Sequence, residues 1–197
     1  MRIASLLASN TEIAFALGLG DQIVGVSHEC DYPKEAKTKP VLTKSKVDPH
    51  KKSADIDEDV KNVLRLGLSV YEVDLEKLER AKPDLILTQD QCEVCAVSLK
   101  DVERALREHI CDAKVISLKP MVFDDLFRDI QTIADATNRE IEAEGMIRDL
   151  KRRVLNVYQK TKNLKKPSIA CIEWMKPLMA AGNWVPEMVE IAGGTSV

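Results

Sequence analysis

The first 26 residues admit few folds. Arg2 to Leu7 reads as a strand. Ser9-Asn-Thr-Glu12 has the spacing of a capping box, in which Ser9 would cap a helix and Glu12 would reach back to its amide. That helix is predicted over Thr11 to Leu17 and stops at Gly18-Leu-Gly20, where glycine can take the left-handed conformation. Ile23 to Val26 is a second strand. Strand, tight turn, helix and strand in so short a span make a βαβ unit.

The remaining elements extend this pattern. Lys34 to Asp55 is a long connection in which Val41-Leu42 adds a small strand; its part from Lys34 to Lys52, locally basic but rich in proline and threonine, reads as a solvated loop. Ile56, Val60, Val63, Leu64 and Leu66 fall at helical spacing. Ser69 to Val73 is a short extended piece, and Asp74 caps a helix through Arg80. Leu85 to Thr88, after Pro83-Asp84, is an apolar run that reads as a buried parallel strand. Ser98 is placed as the N-cap of a helix through Glu108, and Val115 to Leu118 is another strand. From Phe123 the period is helical, with a break at Thr137-Asn138 and then a long helix from Arg139 to Asn163 whose outer face is strongly charged. Ser168 to Ile172 is a further strand, Glu173 to Trp184 a loop, and Val185 to Ala192 a helix with Pro186 in its first turn. The expected class is α/β: a Rossmann-like parallel-sheet lobe, a long helix, and the start of a second α/β lobe.

Composition narrows the function classes. A formal net charge of -3 with no block of Lys and Arg argues against nucleic acid. No apolar run reaches membrane-span length, and Met1-Arg2 leads into a stretch interrupted by Glu12 with no cleavage site after it. The residues as they stand are those of a cytoplasmic chain, or of a periplasmic or cell-surface one whose leader has been removed. Five cysteines, an odd number, argue against a disulfide framework. Cys111 and Cys171, in or beside apolar segments, are expected to be buried thiols.

Chemistry-bearing residues collect in three loops, each after a predicted strand, where ligands bind in open α/β sheets. The first is Ser27 to Pro33, with His28, Glu29, Cys30 and Asp31; the second is Gln89 to Cys95, with Gln91, Cys92 and Cys95; the third is Glu173 to Trp184, with Glu173, Trp174 and Trp184. His28, Cys30, Cys92 and Cys95 have the chemistry of zinc ligands, but only one C-x-x-C is present. Cys92 and Cys95 also suit a redox dithiol, two thiols packing in a turn, or a direct role toward a ligand. Trp174 and Trp184 suit a large flat ligand, or fill a seam in the core; Tyr71, in another loop, is placed to face them. No catalytic motif appears: there is no G-x-S-x-G, P-loop or nucleotide-binding G-x-G-x-x-G. The chain reads as a non-enzyme.

Five segments then carry a resemblance: Ile3-Ala-Ser-Leu-Leu-Ala-Ser-Asn-Thr-Glu12, Gly18-Leu-Gly-Asp21, Val26-Ser-His-Glu-Cys-Asp-Tyr-Pro33, Pro83-Asp-Leu-Ile-Leu-Thr-Gln-Asp-Gln-Cys-Glu-Val-Cys95 and Trp184-Val-Pro-Glu-Met-Val-Glu-Ile-Ala-Gly-Gly194. Together they resemble the cobalamin-binding branch of the ABC-importer substrate-binding proteins, a superfamily that also binds iron-siderophores and haem. The resemblance implies two α/β lobes joined by one long helix, with the ligand held in a cleft between them. It implies a corrinoid or similar metal chelate as ligand rather than catalytic cofactor, and an ABC transporter permease as partner. Ser9, Asn10, His28, Glu29, Tyr71, Gln91, Cys92, Glu173, Trp174 and Trp184 are the expected ligand contacts. The domains expected are an N-terminal α/β lobe at 1–122, a helical segment at 123–166 and an incomplete C-terminal lobe at 167–197. Ala8 stands where the pattern leads one to expect proline, and the second lobe stops after Gly193-Gly194, so a fragment, or a second chain completing that lobe, is also expected. The alternatives are a thiol or metal protein using Cys92 and Cys95 with Cys30 and His28, and a half-domain that functions only in an assembly.

Overall fold

The computed structural model describes residues 1–66, 69–89 and 113–197. These fall into two compact units, residues 1–51 with 58–119 and residues 52–57 with 120–197.

The first unit is built on a parallel sheet. Strands β1 (Ile3–Ser5), β2 (Ile23–Val26), β5 (Leu85–Gln89) and β6 (Lys114–Leu118) lie in the order β2-β1-β5-β6, and every pairing is parallel. Every residue of β5 is buried, as the unbroken apolar run requires of a strand covered on both faces. Two more short strands, β3 (Thr43–Ser45) and β4 (Tyr71–Val73), form an antiparallel ladder. Val41 bridges to Val26, which carries this ladder toward the end of β2. Leu42 is fully buried, and a Cβ on Gly25 would stand 2.3 Å from its Cδ1, so the strand tolerates only glycine there. Helix α2 spans Ser53–Arg65 as its spacing predicts, but none of its residues is buried. Helix α3 (Leu75–Ala81) is capped as expected, the Asp74 carboxylate accepting from the Lys77 amide at 3.1 Å. That bond and the neighbouring Lys77 ammonium hold the Asp74 carboxyl below the usual carboxylate range.

Helix α1 begins earlier than its sequence suggests. It runs Ala8–Ala16, with Leu7 as an extended N-cap and no side chain capping it. Ser9 therefore lies inside the first turn, and the capping box does not form. The cause is Thr11, whose amide and hydroxyl both sit 3.1 Å from the Leu7 carbonyl, so the chain turns into helix directly from β1. Ala8 is the first helical residue, a position that also suits proline.

The second unit is mainly helical. Helix α4 (Asp125–Thr137) buries Ile130, Ile133 and Ala134, and Asn138 ends it in the left-handed conformation at φ 55°. The long helix α5 runs Glu140–Thr161, 22 residues or about 33 Å. Ala143 is its one buried residue, so it lies on a surface as its charged face predicts. The expected strand Ser168 to Ile172 is instead two. Strand β7 (Ser168–Ile169) pairs in parallel with β10 (Thr195–Ser196), whereas β8 (Ile172–Trp174) turns into an antiparallel hairpin with β9 (Met179–Ala180). Two partners running in different directions split the run. Cys171 lies at the split and is half-buried rather than buried; its carbonyl accepts from the Ala181 amide. Helix α6 (Val185–Ile191) has proline in its first turn, as expected. Gly193 follows at φ 88°, with the Thr161 side chain 2.6 Å from where a Cβ would stand. Cys111 and the helix expected after Ser98 lie outside the described residues.

Candidate functional site

Because β1, β2 and β5 are parallel, their carboxyl ends share one edge of the first unit's sheet. Ser5 closes β1, Ser27 follows β2, and Thr88 and Gln89 close β5. All four are buried, as are Asn10, Thr11 and Thr43. Buried hydroxyls and amides must find partners, and here those partners fix the loops.

One chain of bonds anchors Cys30. Its Sγ lies 3.1 Å from Thr11 Oγ1, Thr11 Oγ1 donates to Ser5 Oγ at 2.7 Å, and Ser5 Oγ donates to the Leu7 carbonyl at 3.3 Å. Thr11 Oγ1 also lies 3.1 Å from the Leu7 carbonyl, so its one proton is shared between two acceptors, and the Cys30 contact is then made with the thiol as donor. Burial pushes that thiol up from its ordinary range, against the opposing pull of the Thr11 contact, so Cys30 stays a neutral donor. Beside it the Asn10 side chain donates to the Thr88 carbonyl at 3.1 Å, tying the start of α1 to the end of β5. Thr88 Oγ1 is buried and makes no hydrogen bond among the described residues.

A second chain positions His28. Thr43 Oγ1 accepts the His28 amide at 3.0 Å, lies 2.7 Å from Nδ1 of the same residue, and donates to Ser27 Oγ at 3.1 Å. Ser27 Oγ accepts in turn from the Glu29 amide at 3.3 Å. The imidazole packs against Tyr71, ring centroids 5.0 Å apart and tilted by 58°. Glu29 Oε1 is 3.2 Å from His28 Nε2, but without the alignment of a hydrogen bond, since Nε2 is buried and makes none among the described residues.

The structure thus brings His28, Glu29 and Tyr71 together, with Tyr71 on β4 rather than in the loop expected. Asn10, at the start of α1, is tied to the Thr88 carbonyl. Ser9 is exposed on the first turn of α1. Gln91, Cys92 and Cys95 lie outside the described residues. Among the described residues no three His, Cys, Asp or Glu side chains are grouped to hold a metal ion; His28 and Cys30 are each engaged by a different threonine. In the second unit Glu173 is exposed on β8, while Trp174 and Trp184 are half-buried. The Trp174 indole donates to the Lys176 carbonyl at 3.0 Å, so its polar handle is used within its own hairpin. Tyr71 is set beside the His28 imidazole in the first unit.

The residues that sequence reasoning missed are the hydroxyls. Ser5, Ser27 and Thr88 had a signal, since each is a small polar residue ending an apolar run. Thr43 had none, because its partners stand 15 and 16 positions away and meet it only through the fold.

The profile of a family described as periplasmic binding protein matches residues 3–197. An uncharacterized ABC transporter substrate-binding lipoprotein of Bacillus subtilis, YvrC, is 29% identical over 168 residues, covering 84% of this chain and 43% of its own length. A vitamin B12-binding protein of Vibrio cholerae is 26% identical over 208 residues, covering 100% of this chain and 60% of its own. Among solved structures, one from Staphylococcus epidermidis, described as a possible iron-binding (periplasmic solute-binding) protein, superposes with a TM-score of 0.72 at 26% identity, covering 99% of this chain and 66% of that one. The chain therefore spans less than two thirds of the length of each of these three. Among the described residues no helix is long and apolar enough to cross a membrane.

Proposed function

This chain belongs to the periplasmic binding protein family, and we propose that it binds a corrinoid or closely related metal chelate without transforming it, in the substrate-binding role of an ABC-type importer. One observation carries the reading: buried hydroxyls at the carboxyl edge of the first unit's sheet hold His28, Glu29 and Tyr71 at one place. That edge is where open α/β sheets take ligands. The choice of corrinoid is supported by the vitamin B12-binding relative, which aligns along the whole chain. A permease partner, and a place outside the cytoplasmic membrane rather than in the cytoplasm, are supported by the substrate-binding lipoprotein relative.

Ser9, Asn10, His28, Glu29 and Tyr71 contact the ligand in this reading, Asn10 also tying α1 to β5. Gln91 and Cys92, which follow β5 directly in sequence, are further contacts. Glu173, Trp174 and Trp184 are assigned the same role from the second unit. The iron-binding description of the Staphylococcus epidermidis protein keeps an iron chelate as the second reading.

Calorimetric titration with cyanocobalamin, dicyanocobinamide and haemin tests the proposal. Saturable binding of either corrinoid is expected. Binding of haemin alone transfers the assignment to iron chelates, and no heat or spectral change with any of the three up to millimolar ligand overturns it. Trp184→Ala and Tyr71→Ala are each expected to weaken corrinoid binding by about tenfold, the loss typical of one aromatic contact in a binding site.

A further inference from the structure

We infer that His28 Nε2 is a direct ligand to the metal of the bound chelate, occupying an axial coordination position that water otherwise fills. This rests on the chelate-binding function proposed above and assigns the atom that recognises the metal.

A threonine hydroxyl has one proton to donate and two lone pairs to accept with. Thr43 Oγ1 donates its proton to Ser27 Oγ. Its lone pairs face the His28 amide at 3.0 Å and Nδ1 at 2.7 Å. Nδ1 must therefore carry hydrogen, and in the neutral ring Nε2 carries the lone pair. Ligating histidines are commonly held in this way, with the second ring nitrogen donating to a fixed acceptor. Tyr71, 5.0 Å away, sets the plane of the ring.

Nε2 itself makes no hydrogen bond among the described residues and is shielded from solvent. A buried ring nitrogen left without a partner is destabilising, which loop shaping alone does not explain. Its near neighbour is Glu29 Oε1 at 3.2 Å, and the Glu29 side chain is 58% exposed against 22% for His28. Glu29 can swing into water without disturbing the bonds of Thr43 and Ser27. Its departure leaves space beside Nε2 for a metal chelate. With a cobalt(III) corrinoid the step is a ligand exchange: a Co–N bond forms from the Nε2 lone pair, the Co–O bond to water breaks, and water leaves with both of its protons. Neither cobalt nor protein changes oxidation state. The site would favour chelates whose axial position exchanges, over those in which cyanide blocks it.

The 197-residue chain is titrated with diaquocobinamide and dicyanocobinamide, corrinoids that carry no nucleotide base to compete for the axial position. The visible spectrum of bound diaquocobinamide is expected to become that of an imidazole adduct. His28→Ala is expected to abolish that change and to lower affinity for diaquocobinamide at least about tenfold more than for dicyanocobinamide. Thr43→Val, which removes only the acceptor for Nδ1, is expected to weaken diaquocobinamide about tenfold while keeping the adduct spectrum. Saturable binding of diaquocobinamide with a water-type spectrum overturns the axial assignment and leaves the binding function standing. A His28→Ala variant that loses both corrinoids equally also overturns it, because that is the result of a purely structural histidine. Binding of neither corrinoid by the unaltered chain overturns both readings.

Discussion

The two units of this protein bury their apolar residues to different degrees. In the first, Ile3, Leu17, Leu19, Leu42, Leu78, Leu85, Ile86 and Leu87 are essentially inaccessible, and the parallel sheet is covered on both faces. In the second, Ile130, Ile133, Ala134, Ala143 and Val189 are the buried apolar residues among those described, while Ile141, Leu155, Leu164, Met175 and Leu178 are exposed. An apolar groove of about 320 Å³, lined by Phe123, Leu150, Val154, Val157, Met188 and Ile191, lies open within that unit. The cause is ladder length. Strands of four and five residues in β2, β5 and β6 support a continuous layer, whereas β7 and β10 share two residues each. The lesson is that the first unit can hold a preorganised loop edge on its own core, whereas the second holds its loops chiefly through local turns and caps. Examples are the Asp125 carboxylate on the Met121 and Val122 amides, and Glu187 on the Phe123 amide.

The sharpest way to break this comparison is a pair of truncations. Ile86→Ala, at a fully buried position of β5, is expected to destabilise by about 2–5 kcal/mol. Ile141→Ala, 84% exposed on α5, should stay within about 0.5 kcal/mol. Urea unfolding of the two variants checks this, and equal losses would remove the distinction. Next in size is Gly25→Ala. Its Cβ would meet buried Leu42 at 2.3 Å, and overpacking of that kind costs about 1–3 kcal/mol. Because Leu42 adjoins Thr43, loss of corrinoid affinity should accompany the loss of stability. Amide hydrogen exchange sharpens the contrast without mutation: Ile86 and Leu87 should exchange only on global unfolding, and Thr195 and Ser196 by local opening.

The smallest expected effect belongs to Asp129 on α4. Burial, only partly offset by the Arg128 charge, pushes its carboxyl up to about 6. The folded chain therefore holds this proton more tightly than the unfolded one. Its contribution to stability is fully present below the ordinary carboxylate range near pH 4 and is lost as pH rises through about 6. Asp129→Asn should raise the melting temperature at pH 7.5 by a degree or so, the group being half exposed, and the gain should shrink toward zero by pH 4. A constant difference across that range would refute the assignment.

Much of the first unit was legible in the residues. Strand β5 follows from an apolar run bounded by Pro83-Asp84, and α3 from an aspartate three residues ahead of the amide it caps. The loops after β2 and β5 were marked as ligand loops by where they fall in the alternation of strand and helix. Two local signals misled. Ser9 and Glu12 have capping-box spacing, but the Leu7 carbonyl captured Thr11 first. Ser168 to Ile172 is a uniform run, but its two ends found different partners.

The sequence by itself determined the class of fold, the parallel order implied by alternating strand and helix, the break between α4 and α5, and the loops that carry His28 and Glu29. Period and capping act over a few residues, so a linear reading reaches them. Only the tertiary structure decided that Thr43 Oγ1 meets both the backbone amide and Nδ1 of His28, that Cys30 is committed to Thr11, and that Tyr71 packs against the imidazole. Those contacts join residues 15 to 43 positions apart. They depend on which strands pair and in which register, and no local pattern encodes that.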